Sequence, residues 1–391
     1  MMHLPQSLVL SFFGLVLLLL VLEPYSCRAA APTPVPSDLK ACGFKAIYCF
    51  GDSIYDTGNN NVEKPGSITN FLPYGMTLGK PNGRFSDGLL IIDRFVESAG
   101  LSETSNPDLN TKLDHSKGAN FAVGGTGILT QEQRLKWNVT LPYSQTSMDI
   151  QLQRFDQLVK EMYKDETVRR DIMKSSLFVI GGGNIDYAKL YFPGCHCPGC
   201  ACLAVEEKKV VINPEDVRAI RADNCNCTAV VERKLIIPDE VHQIKEYVKT
   251  LMGYGATTFL INGMYQGGCL PWSMAPVDDK VFCSTEWQEF HNNHNKAVQQ
   301  AVLEMKKEYP DARIIYGDIW SAHQWLFDHA KAEGFTNLNK ACCVDCGPNA
   351  AHCPDPNQYI YWDGGHMTDH SYKLIADVMI PQISKDLGCH A

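Results

Sequence analysis

Five short apolar runs, each closed by glycine, aspartate or asparagine, constrain this chain more tightly than any other feature. They are AIYCFGDS (46–53), GANFAVGG (118–125), SSLFVIGGGN (175–184), ATTFLING (256–263) and ARIIYGDI (312–319). Each is too short for a globular helix and ends in a turn signal, so each reads as a buried strand. Stretches with helical spacing lie between them: MDIQLQRFDQLVKEMYK before the third run, VHQIKEYVKTLMGYG before the fourth, EWQEFHNNHNKAVQQAVLEMKKEYP before the fifth. Strands alternating with helices predict an α/β fold with a central, mainly parallel five-stranded sheet. Such sheets bind ligands beyond the carboxyl ends of their strands, where Ser53, Gly125 and Asn184 all stand.

The N-terminus is of a different kind. LVLSFFGLVLLLLVL (8–22) is shorter than the roughly 20 residues a spanning helix needs, and small residues follow it. Residues 1–30 therefore read as a secretory signal cleaved between Ala29 and Ala31, against the alternative of an uncleaved anchor. Residues 31–391 are expected to form a single domain with no stable membrane anchor. The chain carries a net charge of −9 with Arg and Lys scattered, so nucleic acid is excluded as a partner: no basic stripe exists to neutralise phosphates.

Secretion permits disulfides, and the chain has 16 cysteines. Cys27 leaves with the signal, and the odd remainder implies a free thiol or an intermolecular bridge. Cys269 and Cys283 form the best single pair, closing a short loop after the fourth run. Adjacent Cys342 and Cys343 need different partners, with Cys346 and Cys353 as candidates. Six more crowd residues 194–227 and read as a disulfide-stapled insertion; Cys225-x-Cys227 is tighter than common zinc spacings. Asn138 and Asn226 open glycosylation sequons.

Ser53 raises the chemical question. A serine hydroxyl is a poor nucleophile unless a base takes its proton and donors hold the oxyanion. The G-x-S-x-G turn of α/β-hydrolases is absent, since the chain reads GDSIY. A base is available in YWDGGHMTDHSY (361–372). Asp363 and His366 are separated by two glycines, which lets a tight turn bring the carboxylate to one imidazole nitrogen while the other faces Ser53. Thr368 is expected to cap the following helix and anchor that loop. His366 precedes the cap, so it and His370 do not read as a metal pair, and His370 reads as an ordinary surface residue. HNNHN (291–295) reads as the solvated face of a helix.

FGDSIYDTGN, NFAVGG, VIGGGN and WDGGHMT together resemble the plant branch of the GDSL esterase/lipase family, the SGNH hydrolases. Further similar segments span nearly the whole mature chain: PYG…NGRFSDGLLIIDRFVESAGL (73–101), NGMYQGGCLP (262–271), RIIYGDIW (313–320) and CPDPNQYIYWD (353–363). The resemblance implies a three-layer α/β/α, flavodoxin-like fold and a serine esterase without a cofactor. By the same resemblance Ser53 is the nucleophile, and Asp363 and His366 complete the triad. Ser53 N–H, Gly125 N–H and the Asn184 amide form the oxyanion hole. The chain departs from the family's G-x-N-D: Asn184 is followed by Ile185 and only then by Asp186. The expected partner is a small-molecule ester, with small or aromatic acyl groups favoured because no long apolar lid helix stands out. Two alternatives stay open: acyl transfer to an alcohol by the same triad, and the vacuole in place of the cell exterior.

Overall fold

The computed structural model describes residues 38–136, 144, 146–186, 236–277 and 280–389. The expected signal, the cysteine-rich block at 194–227, Asn138 and Asn226 lie outside them. Every element below belongs to one unit, Val35–Ala391. In chain order the first half holds β1 (Ala46–Phe50), α1 (Asn59–Glu63), α2 (Ile91–Ser98), α3 (Gln131–Lys136), α4 (Met148–Met162), α5 (Glu166–Lys174) and β2 (Ser176–Ile180). The second holds α6 (Ile237–Gly253), β3 (Thr258–Asn262), a short ribbon of β4 (Ala275–Val277) and β5 (Lys280–Phe282), α7 (Thr285–Glu308), β6 (Arg313–Gly317), α8 (Ile319–His329), β7 (Asn337–Ala341), β8 (Tyr359–Tyr361) and α9 (Asp369–Asp386).

The central sheet is parallel, in the order β1-β2-β3-β6. Its register is flush at the carboxyl end: Phe50 pairs with Ile180, Ile180 with Ile261, and Asn262 with Gly317. Alternation along each strand feeds two cores. Ile47, Cys49, Leu177, Val179, Leu260 and Ile315 pack against α2, α8 and α9. Tyr48, Phe50, Phe178, Ile180, Phe259 and Ile261 face the other way, against α4, α6 and α7. Burying each such side chain contributes about 1.5–3 kcal/mol, so neither face can be left uncovered. The three-layer α/β/α arrangement follows.

Four of the five apolar runs pair as strands; among the described residues the sheet has four strands, not the expected five. The run at 118–125 lies beside β1 in the same direction. Cys49 N–H donates to Ala119 C=O, and Phe121 and Val123 N–H donate to Cys49 and Gly51 C=O. It forms only isolated bridges, and Gly118 at its start has φ +109°, outside the extended range of a strand. On its other edge the Asn120 carboxamide accepts from Ala122 N–H at 2.9 Å and donates to Tyr55 C=O at 2.6 Å. Counting this segment, the spatial order is second-first-third-fourth-fifth, and the direction of winding reverses beside β1.

The HNNHN helix face is also not solvated. His291, His294 and Asn295 are buried, with Asn295 bonded to both N–H and C=O of Met264 and His291 Nδ1 lying 2.8 Å from Tyr265 C=O. His370 is half-buried, its ring 4.9 Å from Phe335 and its Nε2 3.1 Å from Glu333 C=O. Disulfides join Cys269 to Cys283, Cys342 to Cys353, Cys343 to Cys346, and Cys42 to Cys389. Cys49 is the free cysteine among the described residues, buried in β1. No helix among them is long and apolar enough to cross a membrane.

Candidate active site

β1 delivers Gly51, Asp52 and Ser53 into a tight turn at its carboxyl end. Gln151 on α4 clamps Gly51 from both sides, accepting from its N–H at 2.9 Å and donating to its C=O at 2.8 Å. Asp56, three residues past Ser53, is a buried hub. One oxygen accepts from Gly58 and Asn59 N–H at 2.8 and 2.7 Å; the other accepts from Asn60 and Gly124 N–H at 3.0 and 2.7 Å. Asn59 donates to Asn120 and Ala122 C=O at 2.7 and 3.0 Å. The DTGN segment thus ties the serine turn to the glycines at 124–125.

The loop after β8 brings in the second half. Asp363 Oδ1 accepts from Gly365 and His366 N–H, both at 2.8 Å, so the D-x-x-H turn is closed on its own carboxylate. His366 Nδ1 lies 2.8 and 2.9 Å from the two Asp363 oxygens, and His366 Nε2 lies 2.7 Å from Ser53 Oγ. Tyr74 O–H donates to Asp363 Oδ2 at 2.8 Å, and Phe85 packs against the imidazole at 4.9 Å. Thr368 caps α9 as expected, its hydroxyl accepting from Ser371 N–H.

Electrostatics follow this geometry. Burial pushes His366 down, but the Asp363 charge and hydrogen bond, with Asp52 nearby, outweigh it and raise the imidazole above its ordinary value. Burial likewise pushes Asp363 up, yet the His366 charge and the donors around it hold the carboxyl below its usual range. Asp52 behaves oppositely: burial lifts it to about 6 despite the Ile54 N–H, the His366 charge and the Asn184 amide.

Beyond Ser53, the ends of the run at 118–125 and of β2 supply further polar groups. Gly125 has φ +82°, a conformation that disfavours a side chain. Neither Ser53 N–H nor Gly125 N–H meets an acceptor among the described residues, and both residues line the cavity described below. Asn184 lines the same cavity, its side chain interacts with Asp52, and its NH₂ carries two donors.

Asp186, one position later than in the family's G-x-N-D, ties its segment to residues 128 and 129. It is buried, and one oxygen accepts from Ile128 and Leu129 N–H at 2.6 and 3.3 Å. Behind it lie Glu240 on α6 and His294 on α7, with His294 Nδ1 2.9 Å from Glu240 Oε2. Burial and then the Glu240 charge raise Asp186 well above an ordinary carboxyl, while burial lowers His294 to about 4 and keeps it neutral. Gly183 packs directly on this group at φ +110°. A Cβ there would fall 2.6 Å from Met264 Cε, 3.2 Å from His294 Cε1 and 3.3 Å from Glu240 Oε1.

These edges enclose a cavity of about 640 Å³. Ser53, Gly125, Asn184 and His366 open into it, and Phe85, Leu270, Trp272 and Trp287 form much of its apolar wall. The Trp272 ring stands against Gly364 and Gly365, and its backbone N–H donates to Gly364 C=O at 3.2 Å. The five residues singled out from sequence therefore meet at one cavity. Sequence reasoning missed Tyr74, Asp56 and Gln151. PYG and DTGN were visible as motifs, but nothing in them signals contact with Asp363 or Gly124.

The GDSL-like lipase/acylhydrolase family model matches residues 47–379. A GDSL esterase/lipase of Arabidopsis thaliana is 30% identical, covering 86% of this chain and 86% of its own. Acetylajmalan esterases 2 and 1 of Rauvolfia serpentina are 30% and 29% identical, each over 89% of this chain and over 92% and 89% of their own.

Proposed function

The chain belongs to the GDSL-like lipase/acylhydrolase family, and from that premise we propose how, where and on what this serine hydrolase of esters acts. Ser53 attacks the ester carbonyl while His366 takes its proton. Asp363 orients His366 and stabilises the imidazolium. Ser53 N–H, Gly125 N–H and the Asn184 amide hold the oxyanion, where one donor is worth about 10²–10³ in rate. His366 returns the proton to the leaving alcohol and then activates water against the acyl-enzyme. The observation that carries this reading is the hydrogen-bonded line Ser53–His366–Asp363 at a cavity also lined by Gly125, with the Ser53 and Gly125 N–H groups unengaged among the described residues.

The substrate is a small or aromatic acylated molecule. A cavity of about 640 Å³ with Phe85, Trp272 and Trp287 in its wall suits such a group. Two relatives have acetylajmalan in their names, and the same size class is proposed for this chain. The enzyme enters the secretory pathway behind a cleaved signal at 1–30, a reading supported by four disulfides among the described residues.

The experiment is a chase of the acyl-enzyme. Purified protein is loaded with a small activated ester and followed by intact-mass spectrometry in water alone or water plus an alcohol. Rapid clearance by water supports the esterase. An acyl-enzyme that persists until the alcohol arrives makes the protein an acyltransferase and overturns the proposal of hydrolysis.

A further inference from the structure

One part of the cavity wall does not fit a purely apolar ester. α1 and the turn after it contribute Asn60, Lys64, Gly66 and Ser67 to the lining. Lys64 is half-buried there, and its backbone is fixed at the end of α1 by donation to Asn60 C=O at 2.8 Å. Its ammonium takes part in no ion pair among the described residues. The adjacent carboxylate is committed elsewhere: Glu63 accepts from Thr146 at 2.6 Å and pairs with Arg154 at 3.0 Å. The other carboxylates in the lining, Asp52 and Asp363, are buried in the serine turn and the catalytic loop. The neighbouring amide is oriented too: Asn60 donates one N–H to Ser67 Oγ at 2.6 Å, and Ser67 donates to Thr69 Oγ1 at 3.0 Å because the Thr69 proton goes to Asn61 Oδ1, so the second Asn60 N–H is the free donor here.

A half-buried lysine in the cavity lining, with no ion pair among the described residues and an amide beside it, lacks the anion that would complete it. We propose that Lys64, with the Asn60 amide that Ser67 orients, forms a subsite for a carboxylate on the substrate, so that the preferred esters are acidic. The proposal rests on the ester-hydrolase reading of the same cavity. One cation with neutral donors balances a single negative charge, which selects a carboxylate over a phosphate dianion. The aromatic wall then takes the uncharged half of the molecule, and the carboxylate sits at the α1 end.

The test uses two matched pairs of probes. 4-Nitrophenyl hemiglutarate against 4-nitrophenyl valerate places the charge in the acyl half; 4-acetoxybenzoate against phenyl acetate places it in the alcohol half. For each pair the ratio of kcat/KM, acidic over neutral, is compared among wild type, Lys64→Met and Lys64→Arg. In at least one pair the ratio is expected to fall about tenfold in Lys64→Met, the value of one charge-assisted contact. It should recover in Lys64→Arg and shrink with added salt. Ratios that Lys64→Met leaves unchanged in both pairs overturn the subsite. Failure of the underlying reading looks different: Ser53→Ala would then hydrolyse the neutral esters as fast as wild type.

Discussion

Tyr74→Phe removes one oxygen from a fully packed site and leaves the rest of the ring in place. Tyr74 is buried between Trp362 and Phe85, and its hydroxyl makes a single bond, to Asp363 Oδ2 at 2.8 Å. A hydrogen bond to an ionised group is worth about 1.5–3 kcal/mol, which sets the upper bound on the loss of stability. The effect on rate is smaller than that of losing the carboxylate, about 10⁴ in the best-studied triad, because Gly365 N–H, His366 N–H and His366 Nδ1 still hold Asp363. The expected fall in kcat/KM is about tenfold, from an Asp363 free to rotate away from the Ser53–His366 line. The pH profile moves as well. With one donor gone, the carboxylate is a stronger base and holds the imidazolium proton more tightly, so the acid limb shifts to higher pH. The assay is kcat/KM for a small activated ester from pH 5 to 9. An unchanged rate together with an unmoved acid limb would refute the idea that Tyr74 holds the catalytic carboxylate.

Three other expectations come from the same geometry. The proposed triad needs neutral His366, whose pKa is raised above 6.5, so the acid limb of wild-type kcat/KM should have its midpoint above 6.5; Asp363→Asn should move it down and cut the rate by about 10⁴. Gly183→Ala meets Met264 at 2.6 Å in a backbone conformation foreign to alanine, and should cost about 1–3 kcal/mol in urea denaturation. Asp186 binds a proton in the folded protein that the unfolded chain releases above its ordinary pKa of 3.8, so it makes stability fall as pH rises from there toward its raised folded value. Asp186→Asn cannot release that proton and can still accept from Ile128. Its loss of stability between pH 4 and 7 should therefore be smaller than that of wild type, and equal losses would contradict the shared burial of Asp186 with Glu240.

What the sequence displays depends on how local the physics is. Strands β1, β2, β3 and β6 are legible because short apolar runs with turn closures need no distant information. The run at 118–125 has the same look but forms only isolated bridges, starting from Gly118 at φ +109°, a backbone conformation its apolar pattern does not announce. HNNHN misleads for a related reason. Its polar groups are buried because Met264, Tyr265 and Glu240 supply partners from other elements. In the site, Ser53, Asp363 and His366 sit in short motifs whose spacing carries their chemistry. Their supports are distant in sequence: Tyr74 is 289 residues from Asp363, Gln151 is 100 from Gly51, and Asp56 is 68 from Gly124.

The central claim is that Ser53, activated by His366, carries the acyl group. Its most direct test is labelling of the full-length protein with a fluorophosphonate, read by peptide mass spectrometry beside Ser53→Ala and His366→Ala. The account predicts one adduct on Ser53, absent in Ser53→Ala and formed far more slowly in His366→Ala. A labelled residue other than Ser53, or folded wild-type protein that stays unlabelled, would contradict it.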